Sequence, residues 1–249
     1  MVAPVQLLQL PEPVLVGERF DRRIVEIGNS NENLLHQRVE RLHVIDGCQA
    51  LGLPADAKHE RLYGGGKDVK HIRDGASLPQ LFALLAPAPQ PLLEKLKLLR
   101  WVILQVLTGN TDAHAKNLSF FSGIRGVWLA PAYDLVSVFG LDRGIIDDSY
   151  ALAIGDAFTQ KDLSAHEWAA MAQRWGLPKA QVGQELRRMA NRISEHLTAT
   201  AKICIDQGAA PAVLGRIQDG IAAGIEAQTM LAAKIARVTL DPDYSTSPA

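Results

Sequence analysis

The chain has 249 residues, with 47% hydrophobic and 21% charged side chains, figures that exclude a disordered, collagenous or disulfide-stapled protein. Lys+Arg 26 against Asp+Glu 27 leaves a net charge of −1, so no overall basic excess points to a phosphate-backbone binder. Cys48 and Cys204 stand far apart in no metal-binding spacing and read as reduced thiols. Met1 to Pro11 lacks the positive start of an export signal, and the longest uncharged stretch, Gly75 to Leu93, carries Pro79, Pro87, Pro89 and Pro91. A membrane helix would not tolerate that density of missing donors, so a soluble, cytoplasmic protein is expected.

Taken in chain order, Pro13 to Val25 is rich in β-branched and apolar residues and predicts a strand. Gly28 to Asn33 is a turn cluster, and Leu34 to His43 fits helix and strand equally. Val44 to Leu51 predicts a short helix stopped by Gly52 and Pro54, and Tyr63-Gly-Gly-Gly-Lys67 opens a flexible loop. From Leu92 to Leu107, apolar residues recur at three-and-four spacing on nearly every face, which predicts a central helix ended by Gly109. Leu118 to Phe121 and Val127 to Leu129 flank a Gly123…Gly126 turn and predict a hairpin. Beyond Ser164 the chain reads as helical: Ser164-x-x-Glu167 is a capping box, Gly176-Leu-Pro178 separates two helices, and Gln181–Asp206 and Pro211–Val238 are long periodic segments. Asp241 to Ala249 reads as a frayed tail. The fold class expected is mainly α with a small β region.

Three familiar motifs fail on inspection. Gly64-Gly-Gly-Lys67 is followed by Asp68 and has Arg61 where a phosphate loop needs glycine. His166-Glu167 begins like a zinc-protease helix, but position 170 is alanine. No G-x-S-x-G elbow occurs.

Polar and ionisable residues instead crowd the end of the central helix, in Thr108-Gly-Asn-Thr-Asp-Ala-His-Ala-Lys-Asn-Leu118. A further acid, Asp134, follows the hairpin in Leu129-Ala-Pro-Ala-Tyr-Asp-Leu-Val-Ser137. Asp112 and Asn117 have the D-x-x-x-x-N spacing of a protein-kinase catalytic loop, and Asp134 sits where a second metal-binding aspartate could lie. Phosphoryl transfer needs an aligned hydroxyl, hard oxygen ligands for Mg²⁺, and cations against developing charge. Asp112 answers the first need, Asn117 and Asp134 the second, and His114 or Lys116 the third. Two other readings fit the same residues. All three polar residues can be turn and cap residues, or Asp112, His114 and Asp134 can be ligands of a hydrolase metal.

The two segments together resemble the signature of the HipA family of toxin-type serine/threonine kinases. Leu15-Val-Gly-Glu-Arg-Phe-Asp-Arg22, Cys48-Gln-Ala-Leu-Gly-Leu-Pro54 and Ala151-Leu-Ala-Ile-Gly155 agree with it in order. The resemblance implies the larger, mainly helical lobe of a protein-kinase-like enzyme that uses ATP and Mg²⁺. It implies Asp112 as catalytic base, Asn117 and Asp134 as Mg²⁺ ligands, and His114 and Lys116 near the phosphates or holding the loop. Glu18 and Phe20 fall on the hinge strand, whose backbone would meet adenine. Residues 1–25 correspond to that strand and a remnant of the smaller lobe, 26–238 to the larger lobe, and 239–249 to a disordered tail. Within the lobe, 109–118 is the catalytic loop and 129–137 the metal segment.

The family's glycine-rich phosphate loop and strand lysine would precede the hinge strand, and no lysine occurs here before Lys58. The resemblance thus implies a kinase that works with its missing lobe supplied in trans, or a catalytically silent lobe acting as an interaction module. Its implied partners are a protein substrate such as an aminoacyl-tRNA synthetase, a HipB-like antitoxin or a separate lobe chain, and no nucleic acid or membrane.

Overall fold

The computed structural model describes residues 42–124, 126–141 and 148–240. Along the chain come β1 (His43–Asp46), α1 (Gly47–Leu51), α2 (Leu78–Leu84), α3 (Pro91–Thr108), β2 (Ser119–Gly123), β3 (Gly126–Leu129), α4 (Ala165–Trp175), α5 (Lys179–Asp206) and α6 (Pro211–Ile235). Short 3-10 turns lie at Ala55–Lys58, Ala115–Asn117 and Val138–Gly140. The fold is mostly helical with one small sheet, in agreement with the expected class.

The sheet is antiparallel in the order β1-β2-β3, with Val44 opposite Phe121 and Phe120 opposite Leu129. Here the structure departs from the helix expected over Val44 to Leu51. Val44 and Ile45 pair with β2, and the helix begins only after Asp46. The reason is local: β-branched residues favour the strand, while Asp46 caps α1 by accepting from the Gln49 backbone, and Gln49 returns a bond to the Asp46 backbone. A second element the periodicity did not reveal is α2, inside the proline-rich stretch. Ser77 and Gln80 form its capping box, and Pro79 stands in the first turn where its missing N–H costs nothing.

The hairpin, α3 and the three later helices fall where the sequence placed them. α3 is the axle of the core: Leu98, Leu99, Ile103, Val106 and Leu107 are fully buried, and it packs against α5, α6 and β3. Its first turn holds the sheet through Glu94, whose carboxylate accepts the Leu129 N–H at 2.8 Å. α2 docks on α4 through Phe82 stacked on Trp175, ring centroids 3.4 Å apart. α4 is tied to α6 by a buried bond from Trp168 Nε1 to Gln228 Oε1 at 2.9 Å. The capping box expected at Ser164 forms only by half. Ser164 accepts the Glu167 N–H, but the Glu167 carboxylate turns to the Asp156 N–H instead.

Arg100 on α3 bonds Glu185 on α5 at 2.9 Å. Burial pushes the Glu185 carboxyl up, but the bonds and charges of Arg100 and Arg188 outweigh it and hold the group below the usual carboxylate range. A carboxyl depressed in the folded state stabilises the fold above its unfolded pKa, and that contribution fades as pH falls through the folded value. Arg100→Met is therefore expected to lower the melting temperature at neutral pH, with the gap to the unaltered chain narrowing below about pH 4. Melting followed by circular dichroism across pH checks it; a gap independent of pH would refute the assignment.

Candidate active site

The site begins where α3 ends. Gly109 takes a left-handed φ of +66°, and a Cβ there would lie 2.5 Å from the Phe139 ring, so only glycine fits. The next residue, Asn110, is buried and uses its amide as a clamp. Its Nδ2 donates to Gln105 Oε1 at 2.8 Å and to the Asp134 carbonyl at 3.2 Å. Trp101, Gln105 and Asn110 each keep a buried polar atom without a partner, and all three line a cavity of ≈ 20 Å³.

The loop then closes on the Asp112 backbone. The Asp112 carbonyl accepts from the His114 N–H at 2.8 Å and from Asn117 Nδ2 at 3.0 Å. The Asp112 carboxylate itself is 62% exposed, with His59 Nε2 4.0 Å away. Asn117 is buried, and with its Nδ2 committed, its Oδ1 remains as the ligand-capable atom.

Asp134 arrives on a segment laced to this loop at three points. Tyr133 donates its hydroxyl to the Lys116 carbonyl at 2.5 Å and lies 2.8 Å from Ser119 Oγ. Asn110 holds the Asp134 carbonyl, and Val138 N–H donates to the Gly109 carbonyl at 3.0 Å. Among the described residues Asp134 is the one non-glycine with positive φ, +53°, and its exposed carboxylate takes no hydrogen bond. The turn reading of these residues is thus partly true of backbones and amides, while neither carboxylate is hydrogen-bonded to another described residue.

His114 and Lys116 are placed apart from one another. Lys116 reaches Asp46 at 2.7 Å, pinning the loop to the start of α1. The Asp46 bond and charge raise the Lys116 pKa; burial pushes Asp46 up, but the bonds from Lys116 and Gln49 hold it below its ordinary value. His114 is buried, and its Nε2 lies 2.9 Å from Lys58 Nζ. Burial, then the Lys58 charge, lower the His114 pKa, so the neutral ring accepts from the ammonium through Nε2. His59 packs edge-on against it, with centroids 5.3 Å apart.

Lys58 is the residue sequence reasoning missed. It lies 56 positions from His114, and no spacing could announce a contact made only when the Ala55–Lys58 turn folds against the loop. Glu18 and Phe20 lie outside the described residues.

Beside Asp112 opens a cleft of ≈ 610 Å³, lined by His59, Arg61, Gly65, Tyr150 and Phe158 among others. Its wall is braced by Glu60, 1% exposed, which pairs with Arg73 and accepts the Ala153 N–H at 2.6 Å. No group of three His, Cys, Asp or Glu side chains among the described residues converges as a metal-ligand set, which leaves the hydrolase reading without ligands there. An amide oxygen and a free carboxylate suit a hard cation that keeps waters and phosphate oxygens, as Mg²⁺ does. No helix among the described residues is long and apolar enough to cross a membrane.

The chain is similar to known proteins along most of its length. The family model for the HipA-like C-terminal domain matches residues 1–197. The serine/threonine-protein kinase toxin HipA of Shewanella oneidensis is 41% identical over 181 residues, which cover 73% of this chain and 40% of that protein. Y4mE of Sinorhizobium fredii is 30% identical over 195 residues, 78% of this chain and 40% of its own length. Among solved structures, a chain from the complex of Shewanella oneidensis HipA, HipB and operator DNA superposes with a TM-score of 0.74 at 35% identity. That match covers 90% of this chain and 50% of the other. The chain thus spans half or less of the length of these relatives, in their C-terminal portion, and it belongs to the HipA-like C-terminal domain family.

Proposed function

We propose that this chain is the larger lobe of an ATP-dependent serine/threonine protein kinase of the HipA type. The observation that supports it best is the joint anchoring of Asp112, Asn117 and Asp134, with neither carboxylate hydrogen-bonded to another described residue. In this reading Asp112 orients an acceptor hydroxyl and takes its proton as the γ-phosphoryl group arrives. Asn117 Oδ1 and the Asp134 carboxylate hold Mg²⁺, which when bound supplies charge neutralisation across the phosphates. Lys58, through His114, keeps the loop in register, and Lys116 does so through Asp46. The adenine would meet the backbone near Glu18 and Phe20. A HipB-like antitoxin, a second chain supplying the smaller lobe, and a protein acceptor such as an aminoacyl-tRNA synthetase, in the cytoplasm, complete the proposal.

Calorimetric titration of MgATP into the full chain tests it, with Asp134→Asn as control because asparagine tolerates the left-handed backbone. Saturable binding that the control loses is the expected result. Binding that survives in Asp134→Asn would overturn the metal assignment, and no binding at all would refute nucleotide capture by this chain alone.

A further inference from the structure

The small cavity at the end of α3 has no part in the catalytic reading. Trp101, Gln105 and Asn110 line it, and each is nearly sealed from solvent: Trp101 and Gln105 are 4% exposed and Asn110 2%. Among the described residues, Trp101 Nε1, Gln105 Nε2 and Asn110 Oδ1 have no hydrogen-bond partner. Leu78, Val102, Val106 and Ile154 supply much of the remaining wall, which is apolar. Leaving polar groups unpaired in such surroundings is costly, and folded interiors almost always satisfy them, with water where protein does not reach.

The bonds that these residues do make fix which atoms are free. Asn110 faces the Asp134 carbonyl at 3.2 Å and the Gln105 side chain at 2.8 Å. A carbonyl can only accept, so the Asn110 atom on it is the amide nitrogen, and Oδ1 is the free end. That nitrogen needs an acceptor in Gln105 as well, so Oε1 is turned to it and Nε2 is left over. Trp101 stands one turn before Gln105 on the same face of α3, and its indole N–H can only donate. The cavity therefore presents two donors and one acceptor. Water answers both: its oxygen accepts from Trp101 and Gln105 while one of its hydrogens goes to Asn110. A metal cation would face two N–H groups and an anion the Asn110 oxygen, so neither charge suits the set. Size agrees, because the cavity is ≈ 20 Å³ and a single water needs about 10–15 Å³.

We infer that this cavity is a binding site for one resident water molecule, bonded to Trp101 Nε1, Gln105 Nε2 and Asn110 Oδ1, and that this water is part of the clamp on Asp134. Asn110 is the shared member: its nitrogen holds the Asp134 carbonyl and its oxygen the water. With both ends bonded, the amide cannot turn without breaking bonds at each, so the left-handed backbone at Asp134 is held from inside α3. Trp101 and Gln105 are thereby positioning residues for the segment that carries Asp134. No nucleotide is involved, so the water is held whatever reaction the lobe serves.

The test is water–protein Overhauser spectroscopy on the full chain with isotope-labelled tryptophan, the Trp101 indole signal being assigned by its loss in Trp101→Phe. Recording in both the laboratory and rotating frames separates dipolar transfer from proton exchange. The expected result is a dipolar cross-peak from water to the Trp101 indole N–H, with the sign of a molecule resident for longer than the protein tumbles. The buried Trp168 indole N–H, bonded to Gln228 Oε1, should show none. Tyr150 also lines the cavity and its hydroxyl proton could relay the signal, so the cross-peak must persist in Tyr150→Phe. A second measurement reads the clamp. In Trp101→Phe the Val138 N–H, which bonds the Gly109 carbonyl, should gain in deuterium exchange rate about tenfold more than the amides of α4. Absence of the Trp101 cross-peak, or its loss in Tyr150→Phe, overturns the water site. Acceleration at Val138 no greater than in α4 overturns the positioning role. If either variant does not fold, a crystal structure of the unaltered chain decides: one water within about 3.2 Å of all three atoms is expected, and an empty cavity refutes it.

Discussion

Asp112→Asn is expected to reduce phosphoryl transfer on the order of 10³-fold while leaving the melting temperature unchanged, because the fold and the chemistry use different atoms of the same residue. The fold uses the Asp112 carbonyl, which accepts from the His114 N–H and Asn117 Nδ2. An asparagine keeps that carbonyl. The chemistry uses the carboxylate, which is 62% exposed and has, among the described residues, only His59, at 4.0 Å, as an ionic neighbour. Burial, then the Lys58 charge, lower the His59 pKa, so near neutral pH the imidazole does not hold the carboxylate in a salt bridge. An amide of the same shape cannot take the proton of the attacking hydroxyl. Transfer of label from γ-radiolabelled ATP to a protein acceptor, run beside thermal melting, checks both halves. A variant that transfers at the normal rate would remove Asp112 from the base role. A reading of the chain as a silent module predicts that the substitution changes nothing, partner binding included.

The largest effect on stability is expected from Glu60→Ala, a loss of about 3 kcal/mol. Glu60 is 1% exposed, and its carboxylate satisfies both Arg73 and the Ala153 N–H. Burial pushes its pKa up, while the Arg73 charge and the Ala153 N–H pull down, and the balance lies above the ordinary carboxylate value. Truncation leaves a half-buried guanidinium and a buried amide N–H without their acceptor. Arg73 retains Asp156 and the Gly155 carbonyl, which keeps the loss at the low end for a broken buried pair. In a domain of this size such a loss corresponds to a fall in melting temperature of roughly 6–12 °C. Glu60→Gln, with one carbonyl oxygen still able to accept, should lose less. Chemical denaturation of the three proteins measures the differences, and a loss under about 1 kcal/mol for Glu60→Ala would show that the pair does not brace the cleft wall.

How much of this was legible depends on the range of the interactions. The central helix and the hairpin were readable because their signals are internal: apolar residues at three-and-four spacing from Leu92 onward, a glycine at 109 that alone fits its backbone, and glycines at 123 and 126 flanking the turn. The placing of Asp112 and Asn117 in one loop was readable because a single six-residue stretch, 112–117, carries both. β1 was not, since a four-residue strand acquires its identity only from β2, which lies far along the chain. The same holds for Lys58 against His114 and for Glu60 between Arg73 and Ala153. The cleft likewise joins stretches far apart in the chain, around 59–65, 111–112 and 149–158, so no local pattern announces it.

The left-handed backbone at Asp134 carries one more consequence. A glycine would adopt φ +53° without the steric penalty that a Cβ brings, a difference of about 1 kcal/mol. Through Asn110, that same conformation is tied to the end of α3 whichever side chain is present, because the clamp grips the carbonyl. Stability and chemistry therefore pull in opposite directions at this one position. A lineage that no longer needed the carboxylate would find a more stable protein one codon away, by letting Asp134 become glycine.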